Sequence, residues 1–297
     1  MNKIYIGLTD YDWYVHHKTE KSTEVNFWRP GNQPFKALGE NELFLFKLKK
    51  NHGSAIVGGG FFVKYVNIPI DMAWDAFKGQ NGTNEKLVFL SRIRKYREKN
   101  RLDISNPNLG CIILTETFWL DESKGIRPPE DWSDNTVTGA IYSTQNGEGK
   151  RILDDLKLNL AQTENRYSMS ETKHRLGQGG FRVLVTEAYG RRCAISGEKT
   201  LPVLEAAHIK DYASNGPHEI QNGILLRSDI HTLYDKGYLT ITTDYHVEVS
   251  RHLHEDFGNG KMYYQYHGSP LSVLPENISL APAKEYLLWH NENCYLG

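Results

Sequence analysis

The feature that most constrains this chain is the stretch Leu204–Gly237, LEAAHIKDYASNGPHEIQNGILLRSDIHTLYDKG. A short apolar run ends at His208, and Asn222 follows fourteen residues later. His231 comes nine residues after Asn222, in a segment whose pattern predicts a helix. Asp235 lies four residues further on, so both side chains should project from one helix face. An imidazole and a carboxylate at this spacing can converge on one metal ion.

This combination of residues suits the hydrolysis of a phosphodiester bond. That reaction needs a base to activate water, a Lewis acid to neutralise charge on the phosphate, and help for the leaving oxygen. A histidine on a strand, facing a divalent metal held by a helix, meets the first two needs with few residues. A single histidine would carry little weight among the twelve in the chain, but the complete run is hard to reach by chance.

The run resembles the HNH (ββα-metal) nuclease family, and the resemblance extends from about Arg175 to Ser250. It implies that His208 is the general base and that Asn222 holds the hairpin loop so that this base is oriented. It also implies that His231 is a metal ligand, with Asp235 one helical turn later completing the site. The catalytic set expected from the resemblance is therefore His208, Asn222 and His231.

The sequence departs from the family pattern at two points. Many members carry a histidine or aspartate as an extra ligand directly before the base, where this chain has Ala207. The metal would then be held by His231, Asp235 and water, which suits Mg²⁺ or Mn²⁺, with Glu205 as a weaker substitute. Some relatives also carry CxxC pairs, whereas Cys193 has no such partner, so we expect no structural zinc.

Two basic residues beside the motif are candidate phosphate contacts, namely Arg227 just before the predicted helix and Lys210 just after the strand. The commoner role for residues at such positions is a solvated surface charge.

The composition excludes some classes of protein but does not identify a binding partner. The formal net charge is -1, so DNA affinity must come from local basic patches. No apolar run approaches the roughly 20 residues that span a bilayer, and the N-terminus lacks a secretory signal. Three widely separated cysteines indicate a reducing compartment rather than a disulfide framework. We therefore expect a cytoplasmic protein with no membrane partner.

The N-terminal part reads as β-rich. Residues 41–50, NELFLFKLKK, show the alternation of a half-buried strand, and IVGGGFF predicts a strand with a bulge or a close backbone approach at its glycines. Residues 68–79 and 86–101 predict helices, and 109–120 predict another strand. The segment NFWRPGNQPFKALGE reads as a turn-rich loop.

This region resembles the EVE branch of the PUA-like domains, through a tryptophan in a loop, the FLF strand and the IVGGGFF return strand. The resemblance covers roughly the first third of the chain and implies a β-barrel that holds a modified base flipped out of the duplex. Such a pocket works by aromatic stacking and hydrogen bonds to the base edge. Candidate walls are Trp28, Trp119 and Trp13, although most tryptophans serve in core packing.

Together these observations predict an α+β chain with a PUA-like (EVE) β-barrel at residues 1–148, a helical linker at 149–178 and an HNH domain at 179–297. The expected function is a modification-dependent DNA endonuclease that binds 5-methylcytosine or 5-hydroxymethylcytosine in double-stranded DNA. Cutting both strands needs two active sites or two visits, which is the reason to consider a homodimer.

Two alternatives stay open from the sequence. One is an HNH effector of phage defence whose N-terminal domain senses a small ligand or a partner protein. The other is a non-catalytic DNA or RNA reader built on a decayed nuclease fold. Activity on unmodified DNA triggered by a nucleotide would favour the first, and a divalent-metal titration would separate the second from an active nuclease.

Overall fold

The computed structural model describes residues 2–161, 176–211 and 213–297, and it divides into two compact units, Met1–Gly177 and Gln178–Gly297. Residues 162–175 of the predicted helical linker, which include the start of the resemblance at Arg175, lie outside the described residues. The content is mixed α+β in agreement with the predicted class.

The N-terminal unit is a sheet with helices. Its elements are β1 Lys3–Thr9, α1 Tyr11–Glu20, β2 Glu24–Arg29, β3 Leu43–Leu48, β4 Ile56–Pro69, α2 Ile70–Phe77, α3 Lys86–Lys99, β5 Asn108–Trp119, β6 Gly139–Ser143 and α4 Gly147–Ala161. The strands form one six-stranded sheet in the order β2-β5-β4-β3-β1-β6, in which β1 and β3 are parallel and the other pairs are antiparallel.

The predicted barrel is not found as a closed structure. Among the described residues β2 pairs only with β5, and β6 pairs only with β1, so the sheet keeps two edges. Closure would require these edge strands to pair with each other, and they lie at opposite ends of the strand order. The architecture shown is therefore an open, mixed sheet.

Strand β3 also differs from its predicted character. All of its residues are buried, rather than every second one, because both sheet faces are covered. Leu43 and Leu45 pack in a cluster with Ile152 and Leu156 of α4, whereas Phe44 and its neighbours pack in a second cluster on the other face. A strand covered on both faces is apolar along most of its length, and in β3 the exception is the buried Lys47.

The glycines of β4 confirm the expected close approach. A Cβ on Gly58 would lie 2.4 Å from the carbonyl oxygen of Phe118, and one on Gly59 would lie 2.7 Å from that of Phe44. The register of β4 with β5 also shifts between Gly59 and Phe61. Only glycine leaves room for the flanking backbones at these positions.

The C-terminal unit contains α5 Gln178–Ala188, β7 Leu204–His208, β8 Gly223–Arg227, α6 Ser228–Asp235, β9 Leu239–Ile241, β10 Val247–Val249, α7 His252–Phe257, α8 Lys261–Tyr264 and α9 Lys284–Asn293. Strands β7 and β8 are antiparallel, and His208 is opposite Gly223. Strands β9 and β10 form a second hairpin. The β7–β8 hairpin followed directly by α6 gives a ββα arrangement.

Helix α5 packs closely on the first hairpin because Gly223 has no side chain. A Cβ at this position would lie 2.4 Å from a methyl group of Val185 and 3.0 Å from the ring of Phe181. Both residues are buried. The close packing brings the Phe181 ring beside the end of β7.

Candidate nuclease site

A cavity of about 560 Å³ opens at the end of the ββα arrangement. His208, from the end of β7, and the α6 residues His231 and Asp235 all line it. Glu205 of β7 and Trp289 of α9 line the same cavity. The structure therefore brings together the histidines and the carboxylates that the sequence selects.

His208 is held on two sides by ring contacts. Its imidazole stacks on Phe181 with the ring centroids 3.9 Å apart and an interplanar angle of 7°. Its Nε2 lies 3.0 Å from Nδ1 of His218. Burial, followed by the neighbouring His218 and His231, lowers the pKa of His208 to about 4. The ring is therefore neutral near pH 7, which is the form that accepts a proton.

Asn222 forms hydrogen bonds to the loop that follows His208. It is fully buried, and its Oδ1 accepts a hydrogen bond of 2.8 Å from the Lys210 backbone N–H. Its Nδ2 donates to the backbone carbonyls of Lys210 and Pro217, at 2.9 Å each. These three bonds hold both ends of the loop to one amide side chain, which is the geometry expected of a loop-holding residue.

Asn222→Ala is expected to lower the free energy of unfolding by about 1–3 kcal/mol, because partly buried backbone groups of Lys210 and Pro217 lose their partner. Asn222→Asp is the matched variant, since its carboxylate accepts the Lys210 N–H but cannot donate to the two carbonyls. Denaturant unfolding should rank the wild type as most stable and both variants as less stable. Equal midpoints for all three proteins would contradict the loop-holding role.

His231 lies between two carboxylates. Its Nδ1 is 2.6 Å from Oε2 of Glu205, and its Nε2 is 3.2 Å from Oδ2 of Asp235. Burial favours the neutral ring, but the hydrogen bonds to Asp235 and Glu205 outweigh it, and the pKa of His231 is raised above 6.5. Glu205, which the sequence offers only as a substitute ligand, is in direct contact with this histidine.

The donor types at this cluster fit a divalent cation that prefers oxygen and imidazole ligands. Their arrangement is not preformed, and within the described ranges no three His, Cys, Asp or Glu side chains surround a common metal position. The reason is visible at His231, where each ring nitrogen already faces a different carboxylate. Metal binding would require His231 to lose a ring proton. The freed nitrogen and one of the two carboxylates would then have to share the cation.

The two predicted phosphate contacts are placed less favourably. Arg227 forms a bidentate pair with Asp229, with nitrogen–oxygen distances of 2.6 and 2.8 Å, and Asp229 also accepts from Tyr263. Lys210 has its ammonium group 5.5 Å from the ring centroid of Trp289. Neither basic residue lines the cavity, so their contact with phosphate stays a prediction.

Acidification is expected to destabilise the C-terminal unit through His290, a residue that the sequence did not single out. Its ring stacks on Tyr234 with centroids 3.8 Å apart, and Nε2 lies 3.1 Å from the Tyr234 carbonyl oxygen. Burial lowers the pKa of His290 to about 4. The unfolded chain therefore binds the proton first, and stability falls between about pH 6.5 and 4 by up to about 3 kcal/mol.

Denaturant unfolding at pH 7, 5.5 and 4.5 measures this loss. His290→Gln removes the titrating group and should show a shallower dependence of stability on pH. The same slope in both proteins would show that His290 is not responsible.

A second cavity, of about 340 Å³, lies in the N-terminal unit. Trp13 of α1 and Trp28 line it, together with Phe27. The expectation that Trp28 lies in a loop is wrong, because it belongs to β2 and pairs with Cys111 of β5. The ladder hydrogen bonds of β5 extend this strand up to the Pro/Gly turn.

Trp119 is not part of this cavity. Its Nε1 donates to the Ser22 carbonyl oxygen at 2.9 Å, and its ring stacks on Phe46 and His17. These contacts are those of a packed strand end. Of the three tryptophans selected from the sequence, Trp13 and Trp28 are therefore the two that can face a ligand in the cavity.

The polar wall of the second cavity was not foreseen. Asp10, Lys49 and Tyr96 line it and form a closed network, in which Lys49 donates to Asp10 and to Tyr96 while Tyr96 donates to Asp10. Burial opposes ionisation of Asp10, but the bonds from Lys49 and Tyr96 lower its pKa. The three residues lie far apart in the chain, and nothing in their local sequence marks them as a group.

In the C-terminal unit the sequence reading missed Phe181 and His218 as neighbours of His208. The contact of Phe181 with His208 depends on the close packing at Gly223, which the local sequence does not reveal. A signal for His218 was present, since it is a histidine within the loop between His208 and Asn222.

None of the described helices is both long and apolar enough to cross a bilayer.

Comparison with known proteins gives a family match for residues 193–242 and little else. No match to a curated protein is significant. A solved structure, a mutant of the ZmASCH protein from Zymomonas mobilis, is similar at 11% identity over 51% of this chain and 96% of that chain. Its TM-score is 0.32, and at this level the similarity carries no argument about fold or function.

The family model described as HNH endonuclease matches residues 193–242. This range includes β7, β8 and α6, and it therefore contains His208, Asn222, His231 and Asp235. The match confirms the predicted HNH part of the chain and indicates a nuclease, which is a hydrolase acting on nucleic acid. Residues 193–242 of the C-terminal unit are thus similar to HNH endonuclease domains.

Proposed function

We propose that the chain is a divalent-metal-dependent DNA endonuclease in which His208 is the general base. The observation that carries this proposal is the placement of a neutral His208 ring on the same cavity as His231, Asp235 and Glu205. In the described part of the chain Nδ1 of His208 has no protein hydrogen-bond partner, whereas Nε2 faces His218. The nitrogen available to a water molecule is therefore Nδ1.

The expected reaction is attack of water on a phosphodiester. His208 removes a proton from the water through Nδ1, the new oxygen–phosphorus bond forms, and the bond to the leaving oxygen breaks. Phe181 restrains the plane of the His208 ring, and Asn222 fixes the loop behind it. A divalent cation bound at His231 with Asp235 or Glu205 would supply positive charge to the phosphate oxygens.

We further propose that the N-terminal cavity selects the substrate by holding a modified cytosine of double-stranded DNA. Support comes from the aromatic residues Trp13, Phe27 and Trp28 combined with a wall of hydrogen-bonding groups. A flipped base needs both kinds of contact, since stacking gives affinity and the polar groups read the base edge. Because the sheet is open, the proposal rests on the residues of this cavity and not on a barrel fold.

The test is digestion of matched plasmids that contain cytosine, 5-methylcytosine or 5-hydroxymethylcytosine. Faster cleavage of a modified plasmid is expected, and equal cleavage of all three would contradict the selection of modified cytosine. Trp28→Ala should weaken binding to modified DNA by about 10- to 100-fold, since base–aromatic stacking contributes about 1–3 kcal/mol. Trp119→Phe is the control outside the cavity and should bind as the wild type does.

A further inference from the structure

His218 forms a defined pair with the proposed base. Its Nδ1 lies 3.0 Å from Nε2 of His208, and the two ring planes are inclined at 70°. Phe181 contacts both rings, stacking on His208 and meeting His218 edge to face. His218 follows Pro217, whose carbonyl oxygen accepts a hydrogen bond from Asn222. The position of His218 is therefore fixed by the same buried amide that holds the loop.

A hydrogen bond between two neutral imidazoles has two possible directions. If His208 carries its proton on Nε2 and donates to His218, then Nδ1 of His208 is an unprotonated acceptor on the cavity side. If His218 donates instead, His208 must carry its proton on Nδ1 and cannot take one from a water molecule there. Only the first direction gives a competent base, because a neutral imidazole has one donor and one acceptor nitrogen.

We propose that His218 is a positioning residue that accepts the His208 Nε2–H through its own Nδ1 and so fixes the catalytic tautomer of His208. The inference rests on the proposed role of His208 as the base. When His208 takes the proton of water at Nδ1, its Nε2–H bond to His218 becomes charge-assisted and stronger. His218 thus stabilises the protonated base that forms during the reaction without itself touching the substrate.

The charged surroundings of His208 are compatible with this role. The groups with the largest electrostatic effect on it are His218 and Asp211 from the loop, and His231 and Asp235 from α6. Helix α5 contributes the apolar ring of Phe181 and, on the same cavity, the guanidinium-bearing Arg182. A proton on His218 would disfavour the imidazolium form of His208, whereas the carboxylates of Asp211 and Asp235 favour it. His218 must therefore be neutral to serve as the acceptor.

Two variants of the chain test whether His218 acts as a hydrogen-bond acceptor or only packs beside His208. His218→Asn keeps a carbonyl oxygen that can accept the Nε2–H, whereas His218→Leu fills space without an acceptor. His218→Leu should reduce kcat/KM for plasmid cleavage by about 10- to 100-fold at unchanged DNA affinity, and His218→Asn should restore most of that loss. In His218→Asn the acidic limb assigned to the base should also move to higher pH, because the positive charge that His218 can carry is gone.

Equal losses in both variants, or wild-type cleavage and an unchanged pH profile in both, would overturn the role of His218. A second measurement does not depend on activity, namely the ¹⁵N NMR shifts of the histidine rings, with His208 assigned by its absence in His208→Ala. Protonation of His208 at Nε2 in the wild type supports the proposal, and protonation at Nδ1 overturns it. Full cleavage by His208→Ala would instead refute the proposed base, which is a different outcome from failure at His218 alone.

Discussion

His208→Ala is expected to reduce DNA cleavage by about 10²–10⁴-fold, the range that general-base catalysis contributes. The reason is that the described structure offers no second neutral imidazole with an available nitrogen on the nuclease cavity, since His290 has both nitrogens bonded and His231 is held between carboxylates. Single-turnover cleavage of a supercoiled plasmid measures the loss, and a gel-shift experiment should show unchanged DNA binding.

The matched control is His254→Ala, which changes an exposed histidine of α7 that does not line the cavity. It should cleave as the wild type does. Wild-type cleavage by His208→Ala would remove His208 from the catalytic role. A loss of folding, visible in the circular dichroism of the variant, would call for His208→Gln, which should fold and remain inactive.

His231→Ala is expected to lower cleavage by about 100-fold or more and to raise the metal concentration needed for half-maximal activity, because Lewis-acid stabilisation contributes several kcal/mol. His231 makes contacts with both nearby carboxylates, so its removal takes away the centre of the donor set. A titration with Mg²⁺ and with Mn²⁺ at fixed DNA concentration measures the shift.

Asp235→Asn and Glu205→Gln test which of the two carboxylates is the second metal ligand beside His231. The variant that shifts the metal titration further identifies the carboxylate that turns towards the cation, and the sequence resemblance predicts that it is Asp235. Identical metal titrations for the wild type and His231→Ala would contradict the assignment of His231 as a ligand.

The nuclease motif was predictable because its information is local. Strand and helix periodicities set the apolar run before His208 and the spacing of His231 and Asp235. The structure has β7 and β8 at the predicted hairpin and α6 at the predicted helix. The role of Asn222 in orienting the base came with the family resemblance and stays a prediction, and the structure shows three hydrogen bonds between its amide and the loop backbone.

What the sequence did not predict depends on contacts between distant residues. Helix α1 was not expected, since YDWYVHHKTE lacks an apolar stripe and packs through Trp13, Tyr14 and His17. The network of Asp10, Lys49 and Tyr96 forms only when α1, the end of β3 and α3 come together. The placement of Trp28 in β2 is a case in which sheet pairing overrides the turn signals that follow it.

The most direct test of the nuclease assignment is cleavage of a supercoiled plasmid by the full-length chain, with and without Mg²⁺ or Mn²⁺, alongside His208→Ala. If the plasmid contains modified cytosine, it should be nicked or linearised by the wild type when metal is present. It should remain supercoiled with EDTA and with His208→Ala. Equal cleavage in EDTA, or equal cleavage by the variant, would contradict a metal-dependent HNH site built on His208.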